Sequence, residues 1–367
     1  MEEHDISIIG GSMAGFLAGI SACENGIYPT IFEEHDKVGK FGKCTGVMSL
    51  NGMKSFNIDY KKCVSNYVNG AFIYFDDSEI KVEAKQDVAS ILYRQELDEL
   101  LADIAVQKGC QIKTEEKFSK GIQENEKIKF KTNKGEYSTN YLIGCDGANS
   151  SVSANFDFPK LGKYDYAICN EIEITNITPR DKKKVEVFLD NQVLKGFFGW
   201  SVPVNEETMR IGFGVTDPLL FAESKKKFFE FKQIKPHLEK GKTLREFSYV
   251  IPINVRSQTQ KQKIFLAGDS AGQVKATTGG GVIFGGNCAK IAGKVAALKT
   301  DDYELQWRKK YGSMLNTHRT IRKMLDFPNN FFLNFGLTGF KLLGGSFWLS
   351  HFGDMDFITN KTRIEVN

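Results

Sequence analysis

A few short strings in this 367-residue sequence carry residue types that do chemistry. In IGGSMAG, 9–15, Gly10 and Gly15 hold the outer positions of a GxGxxG turn, with Ser12 at the middle position and Ala14 in the same turn. Small residues there let the backbone approach a pyrophosphate, and the N-terminus of the following helix faces its charge. Ser12 is small enough to allow that approach. In IFEEHDKVGKFGKCTGVMSLNG, 31–52, Glu33 ends an apolar run. It lies roughly twenty residues past the turn, where an acid takes the ribose hydroxyls. Glu34 would point to the opposite face. Farther along the same string comes Cys44, followed by Thr45 and Gly46. Cys44 has two readings: a buried, inert thiol, or a group that its loop holds beside chemistry.

The elements that must position these residues follow from periodicity. DISII, 5–9, reads as a buried strand, and FLAGISACENG as a helix with Gly15, Ala18, Gly19 and Ala22 at helical spacing and Gly26 as its stop. PTIFE, 29–33, is the second strand, which completes a βαβ unit. Leu97, Leu100, Leu101 and Ile104 predict an amphipathic helix over 96–109. Weaker strands near 111–115 and 127–132 lead to YLIGCDG, 141–147. From about 165 to 255 the segments EIEITNI, KVEVFLD, FFGWSVPV, MRIGFGV and FSYVIPI alternate as an antiparallel sheet does. IFLAGDSAG, 264–272, returns to a buried strand, and TTGGG then opens an Ala- and Gly-rich helix.

Two further strings, IGCDGANS (143–150) and FLAGDSAG (265–272), together with the first turn resemble the flavoprotein group of aromatic hydroxylases and isoprenoid reductases. That resemblance implies FAD as cofactor, with Gly10, Ser12, Ala14 and Gly15 at its diphosphate and Glu33 at the adenosine ribose. It also implies Asp269 at the ribityl chain and pyrophosphate, and Arg94 near the phosphates. Asp146 matches the aspartate of the DG segment, and reads equally well as a loop cap. Where many members have arginine, this sequence has Ser153, which argues against an aromatic hydroxylase using NADPH. Three more strings, GKCTGVMS (42–49), FGWSVP (198–203) and VKATTGGGVIFG (274–285), resemble the geranylgeranyl reductase family. Phe198, Val202 and Ala276 depart from its pattern, whereas Trp200, Pro203, Lys275 and Gly279–Gly281 keep it. The resemblance implies that Cys44, Thr45, Gly46, Gly279, Gly280, Gly281 and Val282 meet the flavin, and that Cys44 and Trp200 are catalytic.

The implied fold is α/β: a Rossmann-like FAD-binding domain (1–155 plus 260–300), an inserted antiparallel β-sheet substrate domain (156–259), and a helical, aromatic-rich C-terminal segment (301–367). The implied activity is FAD-dependent saturation of isolated C=C bonds in geranylgeranyl chains, most closely those of archaeal-type ether phospholipid precursors. An isolated alkene has no carbonyl to hold negative charge. Hydride delivery must therefore be matched by a proton in a dry, apolar site. Phe197, Phe198 and Trp200, on an alternating strand, would line such a tunnel or simply belong to the sheet core. The alternatives are a monooxygenase or halogenase of the same fold, or a non-catalytic flavin- and lipid-binding protein.

Bulk properties narrow the classes. The hydrophobic content of 41% and charged content of 26% suit a globular protein. Seven cysteines without CxxC and five histidines without ligand spacing argue against a disulfide framework and a zinc site. Cys145, in a strand, and Cys288, in a helix, read as packing. A net charge of +4 gives no reason to expect a nucleic-acid partner. The acidic N-terminus lacks a signal-peptide pattern, so a cytoplasmic protein is expected. The tail, 327–352, reads either as a helical lid that also touches the inner face of the membrane, or as core. The partners expected are an isoprenoid lipid substrate and an external electron donor. No second nucleotide fingerprint chooses among ferredoxin, a deazaflavin and NAD(P)H for the latter.

Overall fold

The computed structural model describes residues 1–40, 42–75, 78–124, 126–325 and 356. The chain divides into two compact units: 1–42, 94–166 and 251–319 in the first, and 43–93, 167–250 and 320–367 in the second. The FAD-binding block expected over 1–155 is therefore interrupted, because 43–93 belongs to the second unit. The reason is strand pairing. Gly70–Phe75 pairs in parallel with Lys184–Leu189 and antiparallel with Ser78–Glu83, so these strands extend the second unit's sheet. No motif marks 64–83, and the pairing partner is distant in sequence. The helix Tyr303–Trp307, expected in a separate C-terminal segment, packs in the first unit against the helix Val282–Leu298. The lid reading of 327–352 lies outside the described residues.

In the first unit a parallel core runs Ile264–Leu266, Glu136–Gly144, Glu2–Ile9, Thr30–Phe32, Gln111–Lys113. Lys127–Thr132 and Phe118–Glu124 add antiparallel strands beyond Glu136–Gly144. The small residues read from the sequence are used for close approach. Helix Met13–Cys23 packs on helix Val282–Leu298 so tightly that a Cβ on Gly293 would lie 1.9 Å from the Ala18 carbonyl oxygen. Helix Arg94–Gln107 buries Leu97 and Leu101, as the periodicity predicts.

The second unit is built on a seven-stranded sheet in the order Lys242–Pro252, Tyr166–Thr175, Thr208–Val215, Gly199–Pro203, Lys184–Leu189, Gly70–Phe75, Ser78–Glu83. Alternation sorts its two faces. Ile172, Ile174, Met209, Ile211, Phe213 and Phe188 face Phe228 of the helix Phe221–Phe229 and form one core. Glu171, Glu173, Arg210 and Trp200 therefore fall on the opposite face. A three-stranded sheet, Val47–Ser49, Ala89–Leu92 and Val64–Val68, completes the unit. Phe197 and Phe198, expected within an alternating strand, precede the strand Gly199–Pro203 instead. Gly196, with φ +79°, turns the chain just before them.

Candidate functional site

In the first unit the glycine turn, Glu33 and the DG segment converge on one crevice of about 450 Å³. Gly10 (φ +108°) sits so close to the next strand that a Cβ there would lie 2.3 Å from the Cys145 carbonyl oxygen. Only glycine fits at that position. Ser12 is the N-cap of helix Met13–Cys23, yet its side chain makes no capping bond. Glu33 is held by two backbone donors, Gly11 N to Oε2 at 2.7 Å and His35 N to Oε1 at 3.0 Å. Glu34 also borders the crevice but is tied to Lys117 at 2.7 Å. Asp146 Oδ2 accepts from Val152 N at 2.9 Å, while the enclosed Oδ1 has no hydrogen-bond partner among the described residues. Asp146 thus ties down a local turn beside the crevice.

Asp98 is a crevice residue that the motif reading missed. It accepts from Met13 N, at the start of the first helix, and from Arg94 Nε at 3.0 Å. The signal was the i, i+4 Arg–Asp pair opening the helix. Burial pushes both the Asp98 and Asp269 carboxyls up, and the Arg94 charge opposes that shift at each. Arg94 is thus brought among the acids of this unit. Asp269 lies in the short helix Gly268–Ala271, and a Cβ on Gly281 would be 2.7 Å from its Oδ1. The GD string and the glycine run therefore meet. Gly279, at φ +70°, donates to the Lys275 carbonyl at 2.8 Å, and Lys275 N donates to Gly280 O at 3.2 Å. This small loop leads through Gly281 into Val282, the first residue of the long helix. Thr277 Oγ1 is 2.8 Å from Nδ1 of the buried His318, a further contact that no motif signalled.

In the second unit, strings far apart in sequence are joined by one carboxyl group. Glu171 Oε2 accepts from Trp200 Nε1 at 3.0 Å and from Thr45 Oγ1. Its Oε1 has no partner among the described residues, and the side chain is 0% exposed. Trp200 reaches it because strand Thr208–Val215 has glycine opposite the indole. A Cβ on Gly212 would lie 2.4 Å from Trp200 Cζ2, and one on Gly214 2.5 Å from Phe197 Cδ1. The aromatic rings thus lie over bare backbone, with Phe198 5.6 Å from Trp200, centroid to centroid.

Two residues on from Glu171, Glu173 has different company. Arg210 Nε lies 2.7 Å and Arg245 Nη2 2.8 Å from its Oε2. Burial alone would push both carboxyls up, and it does so for Glu171. At Glu173 the two guanidinium groups outweigh burial and hold the acid below its usual value. Arg210 also donates from Nη1 to the carbonyls of Thr45 at 2.7 Å and Leu92 at 3.0 Å. Gly46 (φ +81°) accepts at its carbonyl oxygen from Leu92 N at 3.0 Å. The carbonyls of Thr45 and Gly46, expected at a flavin, are thus engaged within the unit. Cys44 precedes them and is half-buried, whereas Cys145 and Cys288 are buried packing groups, as read from sequence.

Glu171, Glu173 and Arg210 were missed. Their signal was present: EIEIT puts two acids on one strand face opposite isoleucines, and MRIGFGV puts an arginine in an otherwise apolar strand.

The FAD binding domain family matches residues 3–289. An uncharacterized protein of Methanocaldococcus jannaschii is 29% identical over 88% of this chain and 84% of its own length. A digeranylgeranylglycerophospholipid reductase of the same organism is 27% identical over 89% of this chain and 87% of its own. A geranylgeranyl bacteriochlorophyll reductase-like protein from Thermoplasma acidophilum superposes with a TM-score of 0.80 at 20% identity, covering 90% of this chain and 89% of that one. The last likeness is one of fold. The first unit's crevice suits FAD on its own evidence. Gly10 lets the turn approach the Cys145 backbone where no side chain would fit, Ser12 leaves the helix start uncapped by its hydroxyl, and Asp146 Oδ1 lacks a partner among the described residues.

Proposed function

The chain belongs to the FAD binding domain family, with FAD as its cofactor, and from that premise we propose that it is a reductase saturating isolated C=C bonds of geranylgeranyl chains in ether phospholipid precursors. One observation carries the reading. The two strings by which the sequence resembles the geranylgeranyl reductases, GKCTGVMS and FGWSVP, are tied together through the buried Glu171 carboxyl. Thr45 and Trp200 lie more than a hundred positions apart in the chain, so this junction is a product of folding. The name of the 27%-identical relative supports the same substrate class.

Alkene saturation asks a protein to hold the cofactor, exclude water and supply a proton. FAD, once reduced, supplies the hydride. The glycine turn, Glu33, Arg94 and Asp269 hold the cofactor in this reading, and Gly279–Gly281 with Val282 border the flavin. Cys44, at the head of its loop, and the indole of Trp200 border the alkene. The half-buried ring of Phe198, backed by the buried rings of Phe197 and Trp200, is the apolar group that meets a prenyl chain in this reading, and burial there keeps water from the reacting carbons. Electrons reach the flavin from an external donor. Among the described residues no helix is long and apolar enough to cross a membrane.

The test is mass spectrometry of ether lipids from cells with and without this protein. Chains should be more saturated when it is present. Identical lipid profiles would refute the reading, and accumulation of a hydroxylated or halogenated small molecule would favour the alternative chemistries of this fold.

A further inference from the structure

Resting on the reductase reading, we propose that Glu171 is the proton donor of the reaction, delivering the proton of its Oε1 to one alkene carbon while the other receives hydride from reduced FAD. The chain has a more obvious candidate in Cys44, but geometry favours the carboxyl. Glu171 Oε2 is saturated by two donors, the Trp200 indole and the Thr45 hydroxyl. Oε1 has no partner among the described residues and is shut away from water. A carboxylate with a bare, buried oxygen is the costly form of this group, and a neutral acid with its proton on that oxygen is the favoured one.

The surrounding charges agree. On its own strand Glu171 has Glu173 and Cys169. From strand Thr208–Val215 comes Arg210, from strand Lys242–Pro252 come Arg245 and Tyr249, and from the loop comes Cys44. Both arginines form their ion pairs with Glu173, no ion pair to Glu171 occurs among the described residues, and at Glu171 burial outweighs the two arginine charges. Two acids two positions apart on one strand face are thus shifted in opposite directions, the arrangement that separates an acid from an anion. Burial first, then Glu171, Cys169 and Cys44, push the Tyr249 hydroxyl well up, so it stays protonated.

The step balances. The alkene π bond breaks, one C–H bond forms with the hydride, and the flavin is oxidised. The second C–H bond forms with the proton from Oε1, leaving Glu171 as carboxylate. The Trp200 and Thr45 donors stabilise that charge, and water restores the proton after the saturated chain departs.

Glu171→Gln keeps the shape and removes the transferable proton. With FAD content and chemical reducibility retained, anaerobic reoxidation by a geranylgeranyl lipid should fall by about 10²–10⁴-fold, the range for loss of a general acid. Glu171→Asp should recover part of it. The wild-type rate should fall as pH rises through the Glu171 titration, and the residual Gln-variant rate should not. Independently of turnover, infrared spectroscopy of ¹³C-Glu-labelled protein without substrate should show a protonated carboxyl at neutral pH that Glu171→Gln abolishes. Wild type and Glu171→Gln reoxidised equally fast would overturn the assignment while leaving the reductase reading intact. Wild type inert to every such lipid would overturn the reductase reading and this step with it. Should the Gln variant fail to fold, the wild-type spectrum decides: no protonated carboxyl, no proton donor here.

Discussion

Trp200 donates its indole N–H to Glu171 Oε2 at 3.0 Å, lying across the bare backbone of Gly212 as it does so. The three residues come from three neighbouring strands, in register: Glu171 opposes Gly212, and Gly212 opposes Trp200. The absent side chain at 212 therefore sets where the indole rests and which carboxyl it reaches.

Gly212→Ala tests that relationship. The new Cβ would sit 2.4 Å from Trp200 Cζ2, against a ring that is 6% exposed and has little room to yield. Overpacking of this kind costs about 1–3 kcal/mol. Thermal unfolding should register the loss, and tryptophan fluorescence should shift as the indole leaves its carboxyl partner.

Arg210 is the second structural test. It is 0% exposed, pairs with Glu173 and holds the carbonyls of Thr45 and Leu92. Arg210→Met should destabilise the protein by about 3–5 kcal/mol, the cost of stranding one partner of a buried pair. Urea unfolding measures it. Because the Thr45 loop loses its anchor in the same step, lipid-driven reoxidation should drop too, even in the folded fraction.

Flavin retention separates the holding residues from the reacting ones. Asp269→Ala should give colourless protein or sharply weaker binding. Glu33→Ala should weaken binding by about 10–100-fold, the equivalent of a charge-assisted hydrogen bond of about 1.5–3 kcal/mol. Absorbance of the purified protein and titration with FAD read both. Undiminished flavin in Asp269→Ala would remove Asp269 from the cofactor site.

Cys44→Ala should stay yellow and lose alkene reduction. The expected fall is about 10–100-fold, that of a misplaced reacting group. Unchanged turnover would return Cys44 to plain packing.

How far the sequence reaches depends on the range of the interaction. The βαβ unit, Gly10, Glu33 and the GD and glycine-run strings were legible because each is a local pattern with one backbone solution. The division of the chain was not. Strand Gly70–Phe75 joins Lys184–Leu189 across more than a hundred residues, and nothing local announces that partner. Trp200 was singled out by its string, yet its partner was not. Glu171 reads as one acid in an alternating strand until Thr45 and Trp200 are seen to converge on it. Phe197 and Phe198 were given to a strand because alternation alone ignores the turn that Gly196 makes before them.

The central claim is tested most directly by reducing the FAD-loaded protein chemically in the absence of oxygen and adding a geranylgeranyl ether lipid. The account predicts that flavin absorbance returns in step with the lipid, and that recovered lipid has gained hydrogen across its double bonds. A flavin that stays reduced with several such lipids, while remaining bound and reoxidisable by oxygen, would contradict it.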